Sequence, residues 1–283
     1  MTIVSERFTR TALLGVRFWD RVTGRPVADG LELSETSSGI AATYGPHGVF
    51  AFHDLPGFRA TAYGAGDDSF WSSPPNRGGF TFRVRDRERR FLPFTFDADV
   101  PARGLFAEDC GMAPSPPDIV GVVPLFSAPN RVTAGGLARV TADLWDVDAN
   151  RPAGWAVLEV STGGVHAFRG VADEQGRVIV LFAYPEPPLH TASPPPPPGS
   201  RALTNQTWPV TVGVRYAPEA MSPPSPDPAS GEPPDLCAVL TQPEATLLAA
   251  DSPVTPLGSQ LLAFGTDLRL RTPGHSELHV LPA

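Results

Sequence analysis

Short runs of alternating apolar and polar residues dominate the chain, and they predict strands rather than helices. The first such run is Ala12 to Trp19. Leu31-Glu32-Leu33 follows, and Val49 to Phe52 leads into a His53-Asp54-Leu55-Pro56-Gly57 turn. Phe80 to Asp86 sets Phe80, Phe82 and Val84 on one side and Arg83 and Arg85 on the other. Phe91 to Phe96 reads as an apolar strand with Pro93 at an edge or a bulge, because proline brings no amide hydrogen to a ladder. Ala138–Leu144 and Ala156–Val160 alternate, Val178–Ala183 is a continuous apolar run suited to a central strand, and Val210–Tyr216 places its valines and Tyr216 on one face. Helix is expected only near Pro234–Leu240 and around Ala245–Ala250. The charged stretch Arg83 to Arg90 has the character of a solvated hairpin tip.

The pattern occurs twice. Trp19-Asp20 stands six residues before Arg25-Pro26, and Trp145-Asp146 stands six residues before Arg151-Pro152. Leu31-Glu32-Leu33-Ser34 then follows in the first half and Leu158-Glu159-Val160-Ser161 in the second. A turn and strand come at matching offsets, Gly48 to Phe52 and Gly176 to Val180. A repeat of this length marks a duplicated structural unit, which shifts expectation toward a scaffold or adaptor and away from an enzyme. The 283 residues suffice for two domains with their own cores. We expect a first β-sandwich over 1–105, a Pro/Gly/Ser-rich linker over 106–123, and a second β-sandwich over 124–283. The second carries Pro-rich insertions at 185–200 and 217–234. Pro194 to Pro198 are consecutive and favour polyproline II.

The segment Asp20-Arg21-Val22-Thr23-Gly24-Arg25-Pro26-Val27, the Gly48-Val49-Phe50-Ala51-Phe52 strand and Leu55-Pro56-Gly57 together resemble the carboxypeptidase regulatory-like, or transthyretin-like, β-sandwich. Asp146 to Pro152 matches the same pattern more loosely, with Ala149-Asn150 in place of Thr-Gly. The resemblance implies an all-β chain of two tandem Ig-like modules without catalytic residues. A weaker likeness covers most of the chain. Phe91-Leu92-Pro93, Val123 to Pro129, Ala153 to Ala156 and Gly265 to Thr272 are similar to phrases in uncharacterised accessory proteins of phage-tail-like contractile injection systems. It implies a cap or baseplate component.

Composition narrows the partners. The formal net charge is -8 and every basic side chain is arginine, without a basic run, so there is no electrostatic case for nucleic acid or anionic lipid. A signal peptide or membrane span is not expected, which places synthesis in the cytoplasm, with any outside role reached by release in a particle. The expected partners are other protein subunits of a larger assembly, and homo-oligomerisation stays open.

Candidate chemistry is sparse. His275-Ser276-Glu277-Leu278-His279 departs from the zinc-protease pattern, which needs Glu directly after the first His on a helix. On a terminal strand the two histidines would lie about 13 Å apart at ~3.3 Å per residue, too far to share an ion. Asp143, Asp146, Asp148 and Asp173 could hint at Ca²⁺, with Asp146 and Asp148 as half a loop, yet aspartates that bend turns explain them as well. A Gly-x-Ser-x-Gly elbow is not found. Cys110 and Cys237 are too few for a disulfide framework and lack metal-ligand spacing, and Asp109 beside Cys110 argues against a reactive thiolate. Trp19 and Trp145 hold equivalent places and suit core packing or turn anchoring. Phe70 and Trp71, between serines and prolines, form the candidate interface. We therefore assign no catalytic, cofactor-binding or metal-ligating residue. The alternatives to an adaptor are a carbohydrate- or peptide-binding module, and a hydrolase whose site carries no familiar motif.

Overall fold

The computed structural model describes residues 10–63, 68–74, 76–108, 110, 121–133, 135–163, 167–186, 206–221 and 232–282. Most of the linker and of both Pro-rich insertions, including Pro194–Pro198, lies outside the described residues. The protein is all-β, and its chain divides into two compact units.

The first unit holds β1 (Leu14–Val16), β2 (Phe18–Asp20), β3 (Arg25–Val27), β4 (Leu31–Glu35), β5 (Thr43–Tyr44), β6 (Phe50–Phe52), α1 (Arg59–Ala62), α2 (Asp68–Ser72), β7 (Gly78–Asp86), β8 (Phe94–Val100), β9 (Leu105–Phe106) and β10 (Val123–Leu125). These form three small sheets in the orders β5-β6-β1-β9, β10-β2-β3 and β4-β7-β8. The period of two in the sequence sends alternate side chains inward, so Phe18, Phe50, Phe52, Phe82, Phe94 and Phe96 meet in the core. Phe52 and Phe82 lie 4.6 Å apart between ring centroids, and Phe82 stacks on Phe96 at 5.4 Å. Each buried phenylalanine contributes about 2 kcal/mol by removal from water, with ring–ring geometry adding to that. Proline at 93 ends the pairing: β7 and β8 form a hairpin whose last pair is Val84 with Phe94, leaving Arg87 to Arg90 in the connection.

The second unit holds β11 (Leu137–Asp146), β12 (Arg151–Pro152), β13 (Val157–Ser161), β14 (Ala167–Val171), β15 (Arg177–Ala183), β16 (Thr207–Arg215), α3 (Leu236–Leu240), β17 (Glu244–Asp251), β18 (Val254–Pro256), β19 (Gln260–Ala263), β20 (Leu268–Leu270) and β21 (Leu278–Leu281). In β11 every second residue is buried: Ala138, Val140, Ala142, Leu144 and Asp146. The four apolar ones join Leu158, Val160, Val178, Val180, Phe182, Val214 and Tyr216 in one core. Glu159 pairs across to Arg169 on β14 at 2.8 Å and reaches Arg215 on β16 at 3.2 Å, giving β13 a cross-strand ion network on its other face.

The sequence repeat is a repeat of strand register. Trp19 pairs with Pro26 and Asp20 with Arg25 between β2 and β3, just as Trp145 pairs with Pro152 and Asp146 with Arg151 between β11 and β12. A parallel strand lies on the far side of each, with Pro124 of β10 opposite Trp19 and His279 of β21 opposite Trp145. β1 runs antiparallel to β6 and parallel to β9, and the first part of β11 runs antiparallel to β15 and parallel to β20. Thus β11 is β1 and β2 fused into one strand. The connection between β2 and β3 needs one left-handed residue, supplied by Gly24 at φ 63°. Asn150 fills the same place at φ 51°, because asparagine is among the few side chains that tolerate this region.

Local propensity fails in one place. Ala245–Ala250, expected as helix, lies within β17, where Glu244 and Ala245 pair with β16 and Thr246 and Leu247 with β21. Differences in helix propensity are tenths of a kcal/mol per residue, and two flanking partner strands outweigh them. The expected helix near Pro234–Leu240 corresponds to α3, capped by the Asp235 carboxylate, which accepts from the Ala238 amide at 2.8 Å. α1 and α2 are short elements that the hydrophobic pattern did not indicate.

Candidate functional site

The carboxylates that drew attention in the sequence serve mainly as turn anchors. Asp146 is 1% exposed, a cost that its partners must offset. Its Oδ1 accepts from the amides of Asp148 and Ala149 at 3.0 Å each, and its Oδ2 accepts from the Tyr216 hydroxyl. Burial, then the charge and hydrogen bond of Asp146, push the Tyr216 phenol up to about 12. Asp20 repeats the arrangement, accepting from the Val22 amide at 3.0 Å and the Thr23 hydroxyl at 2.7 Å. Asp173 accepts from the amides of Gln175 and Arg177 and pairs with the Arg177 guanidinium, while Asp143 pairs with Arg269. Glu35 is of the same kind. Burial favours its neutral form, but side-chain and backbone hydrogen bonds from Ser38 and Ser37 outweigh that and hold its carboxyl down at about 2.

Phe70 and Trp71 sit side by side on α2, half-buried, with their rings edge to face at 5.1 Å between centroids. Neither Cys110 nor Cys237 is a free thiol; each is disulfide-bonded.

The cluster that the sequence did not foresee is Asp251, His275 and His279. The expected separation of about 13 Å between the histidines assumed that one strand carries both. Instead β21 begins at Leu278, and His275 lies in the preceding turn. That turn is closed by two backbone hydrogen bonds, from the Thr272 amide to the Glu277 carbonyl and from the His275 amide to the Thr272 carbonyl, each 2.9 Å. Gly274, at φ 90°, bends it. The chain doubles back, and the two imidazole centroids come to 4.2 Å.

Asp251 arrives from the end of β17, where it pairs with Val254 across the Ser252-Pro253 hairpin turn. Both its carboxylate oxygens lie 2.8 Å from His279 Nδ1, and Oδ2 lies 3.5 Å from His275 Nε2. An ionised carboxylate only accepts, so His279 Nδ1 is the donor in that contact. His279 is held from behind as well. Its amide donates to Thr272 Oγ1 at 2.9 Å, and the Thr272 hydroxyl, itself buried, donates to the Leu248 carbonyl at 2.8 Å. The His279 side chain is 9% exposed, whereas those of His275 and Asp251 are 45% and 40% exposed, so the cluster is fixed on one side and open on the other. A second carboxylate stands close by. The hydrogen bond from Ser276 lowers the Glu277 carboxyl, burial opposes this, and electrostatic interaction with His279 and His275 lowers it further.

Two imidazole nitrogens and a carboxylate oxygen are a ligand set for a borderline divalent metal ion. All three offered atoms lie within 4.8 Å of one another. No local motif announces Asp251, which is 28 residues from His279 in the chain and meets it only through the pairing of β17 with β21.

No family model and no curated protein matches the chain. Among solved structures, the chain is similar to the Bacillus anthracis TIE protein, at 9% identity and a TM-score of 0.23 over 92% of this chain. The chain spans about a third of the length of that structure, 33%, and a likeness of this depth identifies neither a fold family nor a function.

Proposed function

We propose that the protein is a non-catalytic structural or adaptor subunit built from two tandem Ig-like, transthyretin-like β-sandwiches, and that its partners are other protein subunits of a larger particle. The observation that carries this is the shared strand register of the two units, a duplication of scaffold in which the equivalent Asp20 and Asp146 both anchor turns. Contacts would form through sheet ends and loop tips. The four-stranded sheet of the first unit ends on β5, whose Thr43 and Tyr44 are both exposed, and a strand end of that kind accepts an added strand from a partner. The disulfide-bonded state of Cys110 and Cys237 suits an oxidising setting better than the reducing cytoplasm, in keeping with a subunit that works in a released particle. A contractile injection particle is the assembly named by the sequence resemblance.

An affinity pull-down of the tagged protein from its native cells, analysed by mass spectrometry, tests the proposal. Co-recovery of sheath, tube or baseplate proteins supports it. A monomer that brings down no such subunit overturns it and moves a carbohydrate- or peptide-binding module to the front.

A further inference from the structure

We propose that Asp251, His275 and His279 form a binding site for one divalent transition-metal ion of the Zn²⁺ type, with solvent completing its coordination. The proposal does not rest on the adaptor function, and either can fail without the other.

Ligand chemistry comes first. Zn²⁺ takes imidazole nitrogen and carboxylate oxygen at about 2.0–2.2 Å, so neighbouring donors in a tetrahedral shell stand roughly 3.3 Å apart. The 3.5 Å between His275 Nε2 and Asp251 Oδ2 is already that edge. The 2.8 Å between His279 Nδ1 and Asp251 is a hydrogen bond, and it must open by about 0.5 Å as the metal replaces the shared proton. The movement falls to Asp251, which lies at a hairpin end and is the more exposed of that pair.

The site is also supported in the way metal sites are. His279 is nearly buried and its backbone is fixed by Thr272, which is tied in turn to β17 through the Leu248 carbonyl. Its ring nitrogen is therefore aimed before any ion arrives, and less ordering is left for binding to offset. The Asp251 carboxylate stands among the donors, and a carboxylate beside two imidazole nitrogens favours a dication. The exposed flank at His275 supplies the entry path and leaves room for water. Both cysteines are disulfide-bonded, so thiolates do not compete for the ion.

The test is titration of the full chain with Zn²⁺ by calorimetry and with Co²⁺ by visible absorption, repeated on His275→Ala and Asp251→Asn. We expect one equivalent of Zn²⁺ to bind, Co²⁺ to show ligand-field bands of a nitrogen/oxygen shell, and Zn²⁺ to raise the melting temperature. His275 lies on an exposed turn, so His275→Ala should fold with the parent's melting temperature in chelator. It should nevertheless lose at least about tenfold in affinity, a loss that even outer-shell partners typically cause. Zn²⁺ affinity unchanged in both variants would place the ion elsewhere and overturn the site. The absence of saturable binding to the parent chain would reduce the cluster to a hydrogen-bonded His–Asp pair.

Discussion

The Tyr216 hydroxyl donates to Asp146 Oδ2 at 3.1 Å, joining two residues 70 apart in the chain inside the core of the second unit. The bond fastens the end of β11 to the residue that follows β16, so the buried carboxylate belongs to the tertiary structure as well as to its turn. Tyr216→Phe leaves the ring in place and removes one hydrogen bond to a charged acceptor, a loss of about 2 kcal/mol. Asp146→Ala should cost more, since it strands the Tyr216 hydroxyl and two amides together. Urea unfolding of the two variants checks the order, and an Asp146→Ala protein as stable as Tyr216→Phe would contradict it.

Acid should weaken the first unit through Glu35. Its carboxyl is held at about 2 in the folded protein, against 4.5 as the ordinary value. The unfolded chain therefore takes up the proton first as pH falls, and the stabilisation is complete above about 4.5 and lost on the way down to about 2. The amount at stake is on the order of 2 kcal/mol. Glu35→Gln should flatten the stability profile across that window in chemical denaturation at stepped pH, and an unchanged slope would remove Glu35 as the cause.

Two glycines with the same sign of φ should respond differently to alanine. Gly24 at φ 63° has open space where a Cβ would stand, so Gly24→Ala carries only backbone strain, about 1 kcal/mol. At Gly176, with φ 75°, the added carbon would lie 2.4 Å from the Leu144 carbonyl oxygen. Strain and overpacking then add to about 3 kcal/mol. Comparison of melting temperatures separates the two cases.

Phe70 and Trp71 offer a test of assembly against folding. Replacing both with serine should reduce partner recovery in the pull-down while moving the melting temperature by only a few degrees, since both are half-buried on a short helix. A collapse of the melting transition would instead assign the pair to the core.

Thiol titration in denaturant without reductant should find none, and after reduction two. Thiols in the unreduced protein would contradict the oxidised state.

What the sequence made legible is what repeats or alternates. The Trp-Asp to Arg-Pro spacing led directly to two hairpins of equal register, and the inward faces of β7 and β11 follow from a period of two. The histidine cluster was hidden because its distances depend on a turn. His275 and His279 look remote if Glu277 continues a strand, and adjacent once Thr272 and Glu277 close a loop. Asp251 lay further out of reach, because only the pairing of β17 with β21 brings it there. The same pairing explains why Ala245–Ala250 is strand, since its partner strands overrule its intrinsic preference.

The matched hairpins also pose a problem during synthesis. Two segments that pair in the same register can exchange partners while the chain is incomplete, the usual route by which duplicated domains misassemble. Here the ribosome separates them in time. The first unit is closed by β10, which ends at Leu125, so its last strand leaves the ribosome before Trp145 does. At about 5–20 residues per second, the early hairpin has on the order of a second or more to find its own closing strand before its rival emerges.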